Sequence, residues 1–408
     1  MKQGWEIKKL GEVCDLQNGF AFKSTDYIEF SNTVNFRMSQ IRPGGGVDLE
    51  NNPKYLPDEY AITYKDYLLK EGDIVIAMTD MATETKILGV PTIVPSDSRN
   101  WLLNQRVGKL FNIDKSKVNI AFLKYILVSE PINEYYKKLG RGGLQINIGK
   151  QDILNAKIPL PPLPEQQRIV SILDEAFAAI AKAKAIAEQN LKNAKELFES
   201  YLQGVLKKKG EGWEEQLLED CFKMKSGDNL TAKNMSEGEY PVFGGNGIAG
   251  YHNKYNLSGS NVIIGRVGAL CGNVRHITEN IWLTDNAFKV VDFKFDFDHS
   301  FLTYLLNHKD LRSYARQAAQ PVISNSSLKD VVLNFPKSKK EQQTIVRQLD
   351  ALRGETQKLE AVYQQKIANL EELKKSILQK AFAGELRGGN PAELKTEKSR
   401  RDAKIIEN

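Results

Sequence analysis

The chain repeats itself, and this excludes any fold that treats it as one continuous unit. Glu165-Gln166-Gln167, followed by Ile169-Val170 and Leu173-Asp174, returns 176 residues later as Glu341-Gln342-Gln343, Ile345-Val346 and Leu349-Asp350. The same offset carries Glu196-Leu197, Ser200, Leu202 and Gln203 onto Glu372-Leu373, Ser376, Leu378 and Gln379. The beginnings match as well: Gly4-Trp5-Glu6, then Leu10 and Cys14, recur as Gly212-Trp213-Glu214, Leu217 and Cys221. The 408 residues are therefore two copies of one plan, and length alone already argues against a single core.

Each copy has a mixed first part and a helical second part. Short apolar runs such as Ile74-Val75-Ile76 and Val262-Ile263-Ile264 lie between Gly-rich turns and read as short strands, which makes the mixed parts α+β. From residue 165 to 208 the only Gly is Gly204 and there is no Pro; apolar residues recur at Ile169, Leu173, Ala176, Ile180, Ala183, Ala187, Leu191, Ala194, Phe198, Tyr201 and Val205. That spacing is a heptad seam. A second seam runs through Ile345, Leu349, Leu352, Leu359, Tyr363, Ile367, Leu370 and Ile377, broken at Thr356. Pro159, Pro161, Pro162 and Pro164 stiffen the start of the first helix, whereas only Pro336 precedes the second. A helix of about 44 residues is about 66 Å long, longer than a domain core needs. The expected architecture is two similar α+β domains, at residues 1–160 and 210–336. They are separated by long helices at 161–209 and 337–386 that form an antiparallel coiled coil. The alternative is that each seam packs on its own domain. The tail, 387–408, reads as disordered.

At 41% hydrophobic and 26% charged residues, without an 18-residue apolar run or a secretory signal, the chain reads as a soluble cytoplasmic protein with no membrane role. Cys14, Cys221 and Cys271 form no Cys-x-x-Cys pair, which excludes a zinc ribbon and a disulfide framework. Net charge is +6, a weak polyanion signal; residues 1–164 carry 21 basic against 19 acidic side chains, and residues 210–336 carry 12 against 15. Nucleic acid, if bound, is held by local patches rather than bulk charge.

Two catalytic patterns need weighing. Phe243-Gly244-Gly245-Asn246-Gly247 has the form of an adenine methyltransferase loop, and Gly245, Gly247 and Gly250 satisfy Gly-x-Gly-x-x-Gly. A dinucleotide loop must open a helix, however, and Ala249-Gly250-Tyr251-His252 continues into another turn. An Asn-Pro-Pro-Tyr or Asp-Pro-Pro-Tyr sequence is absent. Asp58 with Glu84-x-Lys86 imitates a nuclease metal triad, but it has no counterpart in the second copy. His252, His276, His299 and His308 lack metal-ligand spacing. The sequence supplies no catalytic group and no metal ligand set.

What remains suits contact with DNA. In the second copy a strand leads to Arg266 between Gly265 and Gly268, followed by Asn273 and Arg275; such an arginine reaches a guanine O6/N7 edge or a phosphate. The alternative is a salt bridge across the turn. Asn246 and Tyr251 flank a glycine-rich loop, and Asn286 sits in Asp285-Asn286-Ala287, which parallels Asn104-Gln105-Arg106. In the first copy the candidates are Ser39, Gln40 and Arg42 before the Gly44-Gly45-Gly46 turn, Thr79, Thr83 and Lys86 after a strand, Gln105, and Arg141 with Gln145.

Together, Gly4-Trp5, Gly72-Asp73-Ile74, Pro161-Pro162-Leu163-Pro164-Glu165-Gln166-Gln167, Tyr240 through Gly247, Ile264-Gly265-Arg266 and Thr284-Asp285-Asn286-Ala287 resemble the specificity subunit of type I restriction-modification enzymes, over residues 1 to about 386. The chain departs from the pattern at Lys337-Ser338-Lys339-Lys340, which replaces the Pro-Pro-Leu-Pro run. The resemblance implies two target-recognition domains reading a bipartite, asymmetric site in double-stranded DNA. It also implies helices that dock two methyltransferase subunits, with restriction/translocase subunits joining. Glu165, Gln166, Gln167, Glu341, Gln342 and Gln343 are the candidate partner contacts. Adenine methylation and ATP-dependent cleavage, with S-adenosylmethionine, Mg²⁺ and ATP, then belong to the partners, and this chain is non-catalytic. The alternatives from other classes are a stand-alone nuclease or methyltransferase and a coiled-coil scaffold without a DNA role.

Overall fold

The structure is a computed structural model that describes residues 4–207, 211–316 and 320–386. It divides into two compact units, cut after Ala185 and again after Lys366, so each unit holds one globular domain and part of both long helices. The tail whose disorder the composition suggests lies outside the described residues. Among the described residues no helix is long and apolar enough to cross a membrane.

In the first unit, Ile74–Ala77 is buried at every position and sits inside a four-stranded antiparallel sheet ordered Asp15–Asn18, Val107–Phe111, Ile74–Ala77, Pro91–Ile93. An apolar run without alternation is what a strand covered on both faces requires. A second sheet orders Tyr55–Leu56, Thr33–Phe36 and Asn100–Leu103, the last two parallel. Glu6–Lys9 pairs with Lys157–Leu160, tying the beginning of the domain to its end. The second unit repeats the plan. Its antiparallel sheet runs Lys223–Ser226, Ala287–Val291, Asn261–Gly265, Val274–Ile277; its three-stranded sheet is Gly247–His252, Tyr240–Gly244, Trp282–Leu283, again with a parallel final pair; and Trp213–Leu217 pairs with Val332–Pro336. The shared Gly-Trp opening has a backbone cause: Gly4 and Gly212 both adopt φ +86°, a region that disfavours side chains with a Cβ.

The long helices span Leu163–Leu206 and Lys339–Ala383. Inside each unit they run antiparallel. In the first, Lys184 Nζ meets Glu371 Oε1 at 2.5 Å, Lys374 Nζ lies 5.3 Å from the Phe177 ring centroid, and Arg168 Nη2 donates to the Leu386 carbonyl at 3.4 Å. In the second, Arg353 lies 4.7 Å over Phe198 and the Tyr201 hydroxyl meets Gln348 Oε1 at 3.2 Å. The seams also enter the domain cores. Ile169 and Leu173 join Phe122, Leu123 and Ile126 of the first domain together with Ala381, while Ile345 and Leu349 join Phe301, Leu302 and Leu305 of the second together with Phe198 and Leu202. Helix pairing and domain packing therefore share the seams, and neither expectation excludes the other.

One latch, built twice, fixes each domain on the first turns of its following helix. Gln166 is fully buried: its Oε1 accepts the Asn119 N–H at 2.8 Å, and its Nε2 donates to the carbonyls of Lys117 and Pro161 at 2.8 and 2.7 Å. Gln342 accepts from the Asp298 N–H at 2.8 Å and donates to the Pro336 carbonyl at 2.9 Å. Asn119 and Asp298 are themselves the N-caps of the helices Ile120–Leu127 and His299–His308, so each glutamine grips a capped helix end. About two turns further along each long helix, the Tyr125 hydroxyl bonds Asp174 and the Tyr304 hydroxyl bonds Asp350, both at 2.5 Å. At the second helix start, ion pairs stand where the first has prolines: Lys337 pairs with Glu214, and Lys339 with Asp296 at 2.6 Å.

Replacing Gln166 or Gln342 with Ala strands a buried N–H and the carbonyls it satisfied, and is expected to destabilise the protein by about 2–4 kcal/mol; chemical denaturation of each variant measures the loss, and a change below about 0.5 kcal/mol contradicts the latch. Burial also pushes the Cys14 and Cys221 thiols from an ordinary value of 9.0 up to about 12. The unfolded chain releases these protons from about pH 9 while the native state keeps them, so stability falls as pH rises from 9 to 12, by up to about 1.4 kcal/mol per pH unit for each thiol. Denaturation midpoints across that window should decline less steeply in a Cys14→Ala/Cys221→Ala variant; an unchanged slope excludes the thiols as the cause.

Candidate nucleic-acid interface

In both domains the two parallel strands end side by side and release the chain into polar turns. The Asn104 N–H donates to the Phe36 carbonyl at 3.1 Å, and the Thr284 N–H donates to the Phe243 carbonyl at 2.9 Å. Asn104-Gln105-Arg106 is thus the counterpart of Thr284-Asp285-Asn286. The expected match to Asp285-Asn286-Ala287 is one residue out of register, because Val107 and Ala287 both begin the next strand and bond back to Asn104 and Thr284. Gly19 and Gly227 press on the same two-residue step: a Cβ on Gly19 would fall 2.6 and 2.1 Å from the Leu103 and Asn104 carbonyl oxygens, and one on Gly227 would fall 2.1 and 2.7 Å from those of Leu283 and Thr284.

In the first domain these turns line a cleft of about 310 Å³ that gathers Ser39, Gln105 and Gln145 with two arginines not singled out from sequence, Arg37 and Arg106. Arg37 follows its strand directly, the same signal that drew attention to Arg266, and Arg106 stands beside Gln105. The Nη1 of Arg37 is buried without a hydrogen-bond partner. Arg106 is exposed.

Other first-domain candidates are placed differently. Gln40 is fully buried, accepting from the Arg37 N–H and donating to the Asn51 carbonyl, both at 2.8 Å; it shapes the turn and exposes no edge. Arg42 is bound to Asp48 at 2.8 Å and to the Ser39 carbonyl at 2.8 Å, which braces the Gly44 turn and draws the Asp48 carboxyl below its ordinary range. Thr79 is buried and donates to Asn147 Oδ1 at 2.6 Å. Its strand, Thr79–Met81, pairs with Gln145–Asn147 and carries the chain to exposed Thr83 and to Lys86, which pairs with Glu84 at 2.8 Å; exposed Arg141 bridges back to Asn147.

In the second domain the candidates converge on the Gly244–Gly247 turn. The Arg266 N–H donates to the Asn286 carbonyl at 2.9 Å, and the guanidinium lies 5.3 Å over Phe288, with Nη1 at 3.4 Å from Ser226 Oγ and 3.5 Å from the Asp285 carbonyl. Its Nε is buried without a partner, as Arg37 Nη1 is. The guanidinium thus rests on an aromatic face and backbone rather than on a carboxylate across the turn. Arg275 lies against the turn, its Nη2 only 3.3 Å from where a Gly247 Cβ would stand, and burial lowers its pKa. Asn246 Oδ1 accepts the Leu270 N–H at 2.9 Å, holding the 268–270 loop, while Asn273 precedes the adjoining strand and Tyr251 is 55% exposed on the outer one.

The residues expected to dock partners divide. Gln166 and Gln342 are the buried latches, engaged by internal hydrogen bonds. Glu165 pairs with Arg168 at 2.7 Å, Glu341 accepts from Trp213 Nε1 at 3.2 Å, and Gln167 and Gln343 are exposed. The catalytic look-alikes have ordinary roles. Phe243 to Gly247 belong to an antiparallel hairpin rather than the start of a helix, and Asp58 accepts from the Thr33 hydroxyl at 2.8 Å and the Asn32 N–H at 3.1 Å. Among the described residues no group of three or more His, Cys, Asp and Glu is arranged to hold a metal.

Comparison with known proteins meets this geometry. The type I restriction modification DNA specificity domain matches twice, over residues 2–189 and 210–371. The chain is similar to the type I restriction enzyme MjaVIII specificity subunit of Methanocaldococcus jannaschii, at 31% identity over 51% of this chain and 47% of that one, so the match spans about half of that relative's length. It is 26% identical to the EcoprrI specificity subunit of Escherichia coli over 80% of this chain and 82% of that one. In fold it is similar to a chain solved in work on complex assembly and conformational transition of the type I R-M system, with TM-score 0.72, 20% identity and 94% and 99% of the two chains covered. The HsdS subunit from Thermoanaerobacter tengcongensis gives TM-score 0.58 at 21% identity, covering 95% and 98%. The doubled domain, the repeated helices and these matches agree: the chain belongs to the family of type I restriction-modification specificity subunits and carries two recognition domains.

Proposed function

We propose that the two polar crests at the ends of the parallel strand pairs each read one half of a bipartite site in double-stranded DNA, and that the long helices dock two methyltransferase subunits. The observation that carries this reading is the equivalence of the crests in backbone and their difference in side chains: Arg37, Gln105 and Arg106 occupy one, Asn246, Arg266 and Asn286 the other. Equivalent frames with unlike donors and acceptors suit two unlike half-sites. Exposed Gln167 and Gln343, beside the latches, are the partner contacts in this reading. The chain supplies recognition alone. Adenine methylation with S-adenosylmethionine, and ATP- and Mg²⁺-dependent cleavage by restriction/translocase subunits, fall to partners in the cytoplasm. A stand-alone nuclease or methyltransferase finds no support in the site.

Arg106→Ala or Arg37→Ala should weaken the complex's discrimination at the first half-site by about 1–3 kcal/mol and leave the second intact, and Arg266→Ala should do the reverse. Methylation assays on duplexes altered in one half-site at a time measure this; undiminished discrimination by folded variants rejects the assignment. The near-neutral charge of both globular parts offers little counterion release, which further predicts weak DNA binding by the isolated chain and a large gain with the methyltransferase subunit. Titrations at several salt concentrations test it, and tight binding unaffected by the partner contradicts it.

A further inference from the structure

The 176-residue offset that aligns the two long helices also aligns their contacts. Phe177 corresponds to Arg353, and Phe198 to Lys374. The first unit pairs Phe177 with Lys374, the second pairs Phe198 with Arg353, and both are cations over aromatic rings, at 5.3 and 4.7 Å. The same symmetry makes Lys184 with Glu371 the counterpart of Lys195 with Glu360. At these positions the first helix carries only phenylalanine and lysine, and the second only cations and glutamate.

We propose that the helices are keyed for unlike pairing: the first helix accepts the second and rejects a copy of itself from another chain. Two first helices paired in the same register would set Lys184 against Lys195 of the other copy, twice by symmetry, and lose both cation–π contacts. Two second helices would set Glu360 against Glu371 and Arg353 against Lys374. Side-chain size follows the same rule. Where the first seam has Ala176, Ala183, Ala187 and Ala194, the second has Leu352, Leu359, Tyr363 and Leu370. Like pairing would set small against small or large against large, leaving gaps or overpacking. Such a key has use during synthesis, because the first helix is complete before the second domain is made and neighbouring nascent chains then offer one another only first helices.

In the intact chain, Lys184→Glu/Lys195→Glu should lower the thermal midpoint by about 2–6 °C at low salt, and adding Glu360→Lys/Glu371→Lys should restore it. Lys195→Glu/Glu360→Lys keeps each unlike pair complementary and should leave the midpoint unchanged, yet it removes the like-charge clash. The protein cut within residues 208–210, unfolded and refolded with its two pieces together, should return as unlike pairs in native mass spectrometry. The Lys195→Glu/Glu360→Lys form, treated alike, should shift towards like pairs. An unaltered midpoint in Lys184→Glu/Lys195→Glu, absence of rescue, or identical pair composition in the cut wild-type and variant proteins overturns the proposal.

Discussion

A buried glutamine with all of its hydrogen-bonding groups engaged is the contact on which the arrangement of each unit rests. Gln166 and Gln342 each join a helix start to the capped end of a domain helix, and removing the side chain would leave backbone groups without water or partner. Apolar packing of Ile169, Leu173, Ile345 and Leu349 supplies attraction but tolerates sliding; the directional bonds of the amide set a single position. The Tyr125–Asp174 and Tyr304–Asp350 bonds add a second fixed point about two turns along, which determines rotation about the helix as well as location.

From that fixed base the parallel strand pairs point their ends into the polar crests. Close backbone approach makes the crests possible. Gly19 and Gly227 pass within 2.1 Å, measured from an ideal Cβ, of the backbone leading into the polar turn, so any larger residue would push that turn away. The glycine positions are a structural requirement of the frame, while the residues displayed on it vary between the two domains without altering its hydrogen bonds.

The two helices have a different division of labour. Their starts belong to the domain cores, and the ion and cation–π pairs beyond those starts define who pairs with whom. A repeated helix faces the particular problem that every seam fits its own copy nearly as well as its neighbour, and opposite charge with unequal side-chain size is the available means of telling them apart.

Read alone, the sequence established the doubled plan, the α+β class, the two helices and their antiparallel sense, because an internal repeat and a 3–4 apolar spacing are local patterns that survive without coordinates. It also offered Arg266, Gln105, Gln145 and Ser39 as candidates, since turns after strands are visible as glycine and polar punctuation. Only the tertiary structure decided which polar residues face inward. Gln40, Thr79, Gln166 and Gln342 have the same composition signal as their exposed neighbours, yet they are buried by segments far away in sequence that satisfy them. Arg37 and Arg106 entered the site for the converse reason: their cleft is assembled from the 24–39, 104–106 and 145 segments, and no local pattern in any one of them reports that the others are near. Burial and convergence are properties of long-range packing, which hydrophobic spacing constrains only one face at a time.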